Sequence, residues 1–133
     1  MENNRKDFVP QIELGSVVLD SNDVKTLSDF YIRMLGWEKE YEEEGIWISI
    51  VSKAKGARIS FQSNEDYLPP VWPEEVGKQQ QMVHLDFSVG SKENLEAAVQ
   101  HALACGAVKA KDQYSDHWVV MLDPAGHPFC FVE

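Results

Sequence analysis

His84 and Asp86 stand two residues apart in a stretch, 82–89, whose apolar and polar residues alternate as in a strand. Alternate strand residues project from one face, so an imidazole and a carboxylate are set side by side. A carboxylate fixes the tautomer of a neighbouring imidazole, and the two together can serve as an acid/base pair. The plainer reading is a His84 hydrogen-bonded to a neighbouring strand with no chemical task. Cys130 adds a thiol to the same inventory. With His84 it can form a zinc-binding pair or a Cys–His nucleophile, yet the sequence shows no third partner for either. Arg58 offers a planar fork that suits a ligand carboxylate, and pairing with Asp86 is an equal alternative. Asp116, His117 and His127 lie at turn edges, where solvated side chains are expected.

These residues need elements to place them, and the elements come in a fixed order that appears twice. Residues 14–20 read as a strand, and 23–34 as a helix with Val24, Leu27, Tyr31 and Met34 on one stripe, ended by Gly36. Strands follow at 37–41, 46–51 and 57–62. Residues 64–81 carry Pro69, Pro70 and Pro73 and cannot form the interior of a regular element. The order then restarts, with a strand at 82–89. A helix follows at 92–105, with Ser91 as N-cap, Leu95, Ala98, Val99, Ala102 and Leu103 inward, and Gly106 as terminator. Short strands at 107–110, 117–122 and 128–132 complete the module. The chain thus reads as one domain, 1–133, with modules at about 13–63 and 82–133, a Pro-rich linker at 64–81 and a flexible tail at 1–11.

If a helix covers one face of each sheet, alternation tells which side chains face away from it. Val17, Leu19, Ile59 and Phe61 pack in the first module, leaving Ser16, Val18, Asp20, Arg58, Ser60 and Gln62. Leu85, Phe87, Val89, Phe129 and Phe131 pack in the second, leaving His84, Asp86, Ser88, Cys130 and Val132. The outward sets are polar enough to suggest a ligand-facing cleft, the alternative being open solvent. Trp47 and Trp118 on neighbouring strands favour a partly covered pocket. Trp72, between prolines of the linker, can fold over that cleft or pack against its own module. The run 38–44 holds five glutamates and one lysine, a solvated edge or a lure for a cationic ligand.

The paired order, Phe30-Tyr31 followed by Leu35-Gly36-Trp37, the strand His84-Leu85-Asp86 and the closing Asp123-Pro124-Ala125-Gly126-His127-Pro128-Phe129 together resemble the vicinal oxygen chelate superfamily. That group includes glyoxalase I, bleomycin-resistance proteins and extradiol dioxygenases. The likeness runs from about residue 14 to 132 and is nearest to the glyoxalase-like subgroup, whose linkers often carry a Pro-Pro-x-Trp-Pro segment as at Pro69 to Pro73. It implies an α+β fold in which two β-α-β-β-β modules form a curved, barrel-like mixed sheet around one cleft. Metal-dependent members place one ligand on the first and last strand of each module, which by position are Ser16, Ser60, His84 and Cys130. Only His84 is of a type those enzymes use, and serine hydroxyls are poor ligands for a hard divalent ion.

The resemblance therefore implies a small-molecule binding protein without a complete metal triad. Its cleft would be lined by Ser16, Trp47, Arg58 and Ser60 from the first module and by His84, Asp86, Trp118 and Cys130 from the second. The alternative is a divalent-metal-dependent lyase, isomerase or dioxygenase that uses His84, the metal acting as a Lewis acid. A module that only docks other proteins is a third reading, favoured if its own tryptophans fill the cleft. Members are commonly homodimers, so a homodimer is expected. The chain carries 22 Asp plus Glu against 12 Lys plus Arg, a net charge of -10. Such a balance lacks the basic footprint that nucleic acid or an anionic membrane needs, and neither is expected as a partner. No apolar run approaches the ~18 residues of a bilayer span, and the N-terminus has no apolar signal segment. Two cysteines make no disulfide framework, and with these features they point to the cytoplasm.

Overall fold

Each module is organised by one helix whose ends are set by local hydrogen bonds, in a computed structural model that describes residues 8–133. Helix α1 (Val24–Leu35) starts where Asp23 accepts a hydrogen bond from the Thr26 backbone N–H at 3.0 Å. It stops at Gly36, whose φ of 69° opens the left-handed region that lets its N–H reach Ile32 O. The predicted stripe of Val24, Leu27, Tyr31 and Met34 is buried, together with Phe30 and Ser28. Helix α2 (Lys92–Cys105) starts at Ser91, which accepts from the Asn94 N–H at 3.2 Å. Its buried stripe runs Leu95, Val99, Ala102, Cys105, so Leu103, expected inward, falls beside it and is 37% exposed.

The first module's strands, β1 (Val17–Ser21), β2 (Glu38–Glu43), β3 (Trp47–Val51) and β4 (Arg58–Ser63), lie in the order β1-β4-β3-β2. The second module repeats this with β5 (Leu85–Ser88), β6 (Val108–Lys109), β7 (Trp118–Leu122) and β8 (Pro128–Val132), in the order β5-β8-β7-β6. In both, the first and last strands pair in parallel and the other pairs are antiparallel. The fold is the expected α+β pair of curved mixed sheets. Strands β1 and β5 start about three residues later than alternation suggests, because their partners β4 and β8 begin only at Arg58 and Pro128. Residues 8–11 of the expected tail are exposed and without regular structure; its first seven residues lie outside the described ones.

The helix-side faces of both sheets share one core. Tyr31 of α1 stacks on Phe61 at 5.6 Å between ring centres and meets Phe129 and Phe87 of the other module at 6.1 and 6.5 Å. Large side chains buried in this way contribute roughly 1.5–3 kcal/mol each. The linker does more than join the modules. It turns back over the second sheet, where Trp72 packs on a small cluster of Ala110, Val120 and Cys130. A Cβ on Gly126 would come within 3.0 Å of Pro69 Cβ, and the φ of 90° there is also one that side chains disfavour. Strand β8 is therefore covered on both faces, and four of its five residues are buried.

Candidate functional site

On the face of the second sheet away from α2, parallel register sets Asp86 of β5 directly beside Cys130 of β8. His84 lies two residues before Asp86 on the same face, with Nε2 at 3.2 Å from Asp86 Oδ1. The ligand atoms of His84, Asp86 and Cys130 all lie within 4.8 Å of one another. His84 and Asp86 are open to solvent while Cys130 is buried. Burial pushes the Cys130 thiol up to about 11, helped by the negative charge of Asp86 and by the hydrogen bond between them. The thiol therefore stays protonated at neutral pH and is no nucleophile as it stands.

Above these three polar groups the walls are aromatic and aliphatic. Trp72 from the linker, Tyr114 from the loop before β7, Trp118, Val120 and Val132 line an open pocket of about 470 Å³. Trp72 stands edge-on to Tyr114, with ring centres 6.2 Å apart and planes at 83°. Trp72 packs on Ala110, Val120 and Cys130 of the second module and lines the pocket there. The indole N–H of Trp72 is buried without an acceptor among the described residues. Leaving such a donor unpaired costs about 1–3 kcal/mol.

The first sheet uses its equivalent face differently. Ser60 donates to Ser16 at 3.0 Å and lies 2.8 Å from Ser49, whose hydroxyl accepts from the Trp47 indole N–H at 2.8 Å. Ser16, Ser49, Ser60 and Trp47 thereby form one ladder from the residue before β1 across β4 to β3. Arg58 is held by Glu40 through a double hydrogen bond of 2.8 and 3.1 Å, not by Asp86. Glu40 sits at an irregularity in the β2–β3 register, which turns its carboxylate toward β4. None of Ser16, Trp47, Arg58 and Ser60 lines the cavity that holds His84, Asp86, Trp118 and Cys130. The structure brings the second four together and sets the first four apart from them.

This arrangement also tests the metal positions that the resemblance implies. Ser16 and Ser60 hydrogen-bond to each other, and neutral hydroxyls so engaged do not fit a hard divalent ion. The four-place set does not hold together. What remains is a different set of imidazole, carboxylate and thiol, all from the second module.

A second polar group escaped the sequence reading. Asp123, 3% exposed, accepts from Tyr31 Oη at 2.8 Å, from His127 Nδ1 at 2.8 Å and from the backbone N–H groups of Ala125 and His127. The Tyr67 hydroxyl donates to Ala125 O at 2.7 Å and lies 3.2 Å from His127 Nε2. His127, expected in solvent, has a side chain only 12% exposed because the linker closes over it. Burial, then the charge of Asp123, raises the Tyr31 phenol well above its ordinary range and raises Tyr67 in the same way. A signal for this network was present: Tyr31 lies on a buried stripe, and a buried phenol needs a partner. His117 does stay exposed, paired with Glu133 at 2.9 Å.

Residues 16–132 match the family model of a glyoxalase-like domain. Among solved structures, a glyoxalase/bleomycin resistance protein/dioxygenase family enzyme from Burkholderia phytofirmans is 24% identical. The alignment covers 90% of this chain and 97% of that one with a TM-score of 0.68. A possible glyoxalase from Bacillus cereus is 11% identical over 92% of this chain and 100% of its own, with a TM-score of 0.69. A mutant of the fosfomycin resistance protein FosX of Listeria monocytogenes, in complex with Mn(II) and 1S,2S-dihydroxypropylphosphonic acid, is 14% identical over 90% of this chain and 88% of its own, with a TM-score of 0.64. At these identities the likeness carries the fold. No protein of curated function matches the chain.

Proposed function

The chain belongs to the glyoxalase-like domain family of the vicinal oxygen chelate superfamily, and on that premise we propose that it binds a small molecule in the second module's pocket without a complete metal triad. The observation that carries this reading is the cavity of about 470 Å³, walled by Trp72, Tyr114 and Trp118 with three polar groups converging on its floor. Apolar walls with a few placed polar groups are the usual make-up of a ligand site. A thermal-shift screen of small molecules tests it, with Trp118→Ala as the blank. A compound that stabilises the wild type and not the variant supports the reading; compounds that act equally on both overturn it.

A second reading rests on the cluster of His84, Asp86 and Cys130. Imidazole, carboxylate and thiolate suit a borderline ion such as zinc, which when bound supplies Lewis-acid chemistry for a lyase, isomerase or dioxygenase. In that case His84 and Asp86 hold the ion and Cys130 must first give up its proton. About one zinc, nickel, manganese or iron per purified chain, lost in His84→Ala, selects this reading over the first. We also propose that the protein is a cytoplasmic homodimer with both buried thiols, Cys105 and Cys130, reduced. A mass near 15.1 kDa by light scattering in solution would overturn the dimer.

A further inference from the structure

We propose that the ligand of this pocket is an amphipathic organic cation: a protonated or quaternary amine carried on an apolar or aromatic body. The inference rests on the small-molecule reading above and narrows it to one chemical class.

The argument starts from the one formal charge on the cavity's lining. Asp86 is a carboxylate with no Lys or Arg among the residues that line the pocket, and among the described residues its ion-pair partner is His84 alone. Cys130 and His84 engage part of its acceptor capacity, and its side chain is 58% exposed, so lone pairs remain open toward the cavity. Any ligand that fills the space takes water from that carboxylate. A neutral ligand leaves the carboxylate with its His84 and Cys130 hydrogen bonds alone and an anionic one is repelled by it, whereas a cation replaces the lost hydration.

The walls point the same way. Trp72, Tyr114 and Trp118 present three aromatic rings around the space above Asp86. Ring faces attract cations, and indole does so best. Val120 and Val132 supply the surface for an apolar body. At longer range the net charge of -10 concentrates cations near the protein and repels anions. Carboxylate, aromatic walls and overall field thus favour one ligand class at the same place.

The test uses three probes of nearly equal size on the full chain: benzyltrimethylammonium, its neutral carbon isostere neopentylbenzene, and phenylacetate. Binding is read by quenching of tryptophan fluorescence and by calorimetry. We expect the cation to bind the wild type roughly tenfold or more tightly than the isostere, with phenylacetate weakest. Asp86→Asn should abolish the preference, and Asp86→Glu, which restores the charge, should keep it. Because Asp86 is exposed, both variants should match the wild type in circular dichroism and melting temperature. Equal binding of cation and isostere, or preference for phenylacetate, overturns the inference. If Trp118→Ala then weakens the neutral probe, the pocket reading itself survives. Binding of none of the three overturns the inference and removes support for the pocket as well.

Discussion

Just before β1 and on β4 the positions that face away from the helix carry Ser16 and Ser60; just before β5 and on β8 the equivalent positions carry His84 and Cys130. The first pair is closed upon itself, each hydroxyl finding a neighbour along a ladder that runs on to Ser49 and Trp47. The second pair lies under Trp72 of the linker and Tyr114 of a loop, whereas over the first sheet the linker lines a pocket beside Val18 and Asp20 and not over Ser16 and Ser60. Two modules of one topology therefore divide the labour. Backbone pairing and helix-side packing are common to both, and the segments lying over the other face decide what each pocket is made of.

That contrast can be broken at its joint. Asp123 of the second module accepts from Tyr31 of the first and holds its own turn together, so Asp123→Ala strands a buried phenol and a partly buried imidazole. The expected loss is about 3–5 kcal/mol, measured by urea unfolding. A loss under 1 kcal/mol would show that the shared core alone unites the modules.

A smaller effect sharpens the division. Ser60 is 1% exposed in the middle of the ladder, and Ser60→Ala should cost about 1 kcal/mol while changing affinity of any probe in the second pocket less than twofold. Loss of probe binding in that variant would mean the two faces act as one site.

The thiol reports on the other side. Cys130 has its pKa raised from 9.0 to about 11, so it contributes stability that is present below about pH 9 and lost as the pH rises toward 11. Thiolate absorbance should show this late titration, and Asp86→Asn should lower it by removing the neighbouring charge. An unchanged titration in the variant would make burial the sole cause. His84→Ala should have the least effect on folding, within about 0.5 kcal/mol, because the ring is 45% exposed and packs in no core. A larger loss would assign His84 to the scaffold.

Sequence patterning made most of the fold legible, since helix stripes, caps and alternation are local. Val24, Leu27, Tyr31 and Met34 followed from period alone, as did the inward Phe129 and Phe131. Strand starts were read early because they depend on where a distant partner begins, as Pro128 shows for β5. The site was legible in part. Spacing placed His84 beside Asp86, and alternation put Cys130 on the face away from the helix, yet the same reasoning put Arg58 and Ser60 in the lining. Their partners, Glu40 and Ser16, are 18 and 44 residues away, and such pairings leave no mark in local pattern.

The sequence by itself determined the repeated order of elements, the faces that pack under each helix, and the residue types offered to a site. Tertiary structure alone decided which of those residues meet. Periodicity is a property of neighbours along the chain, while a pocket is made by segments that come together only after folding. Trp72 reaches Val120 and Cys130 because a linker with no periodic pattern turns back over the second sheet. Over the first sheet the same linker meets Val18 and Asp20 instead, and the hydroxyls of Ser16, Ser49 and Ser60 satisfy one another.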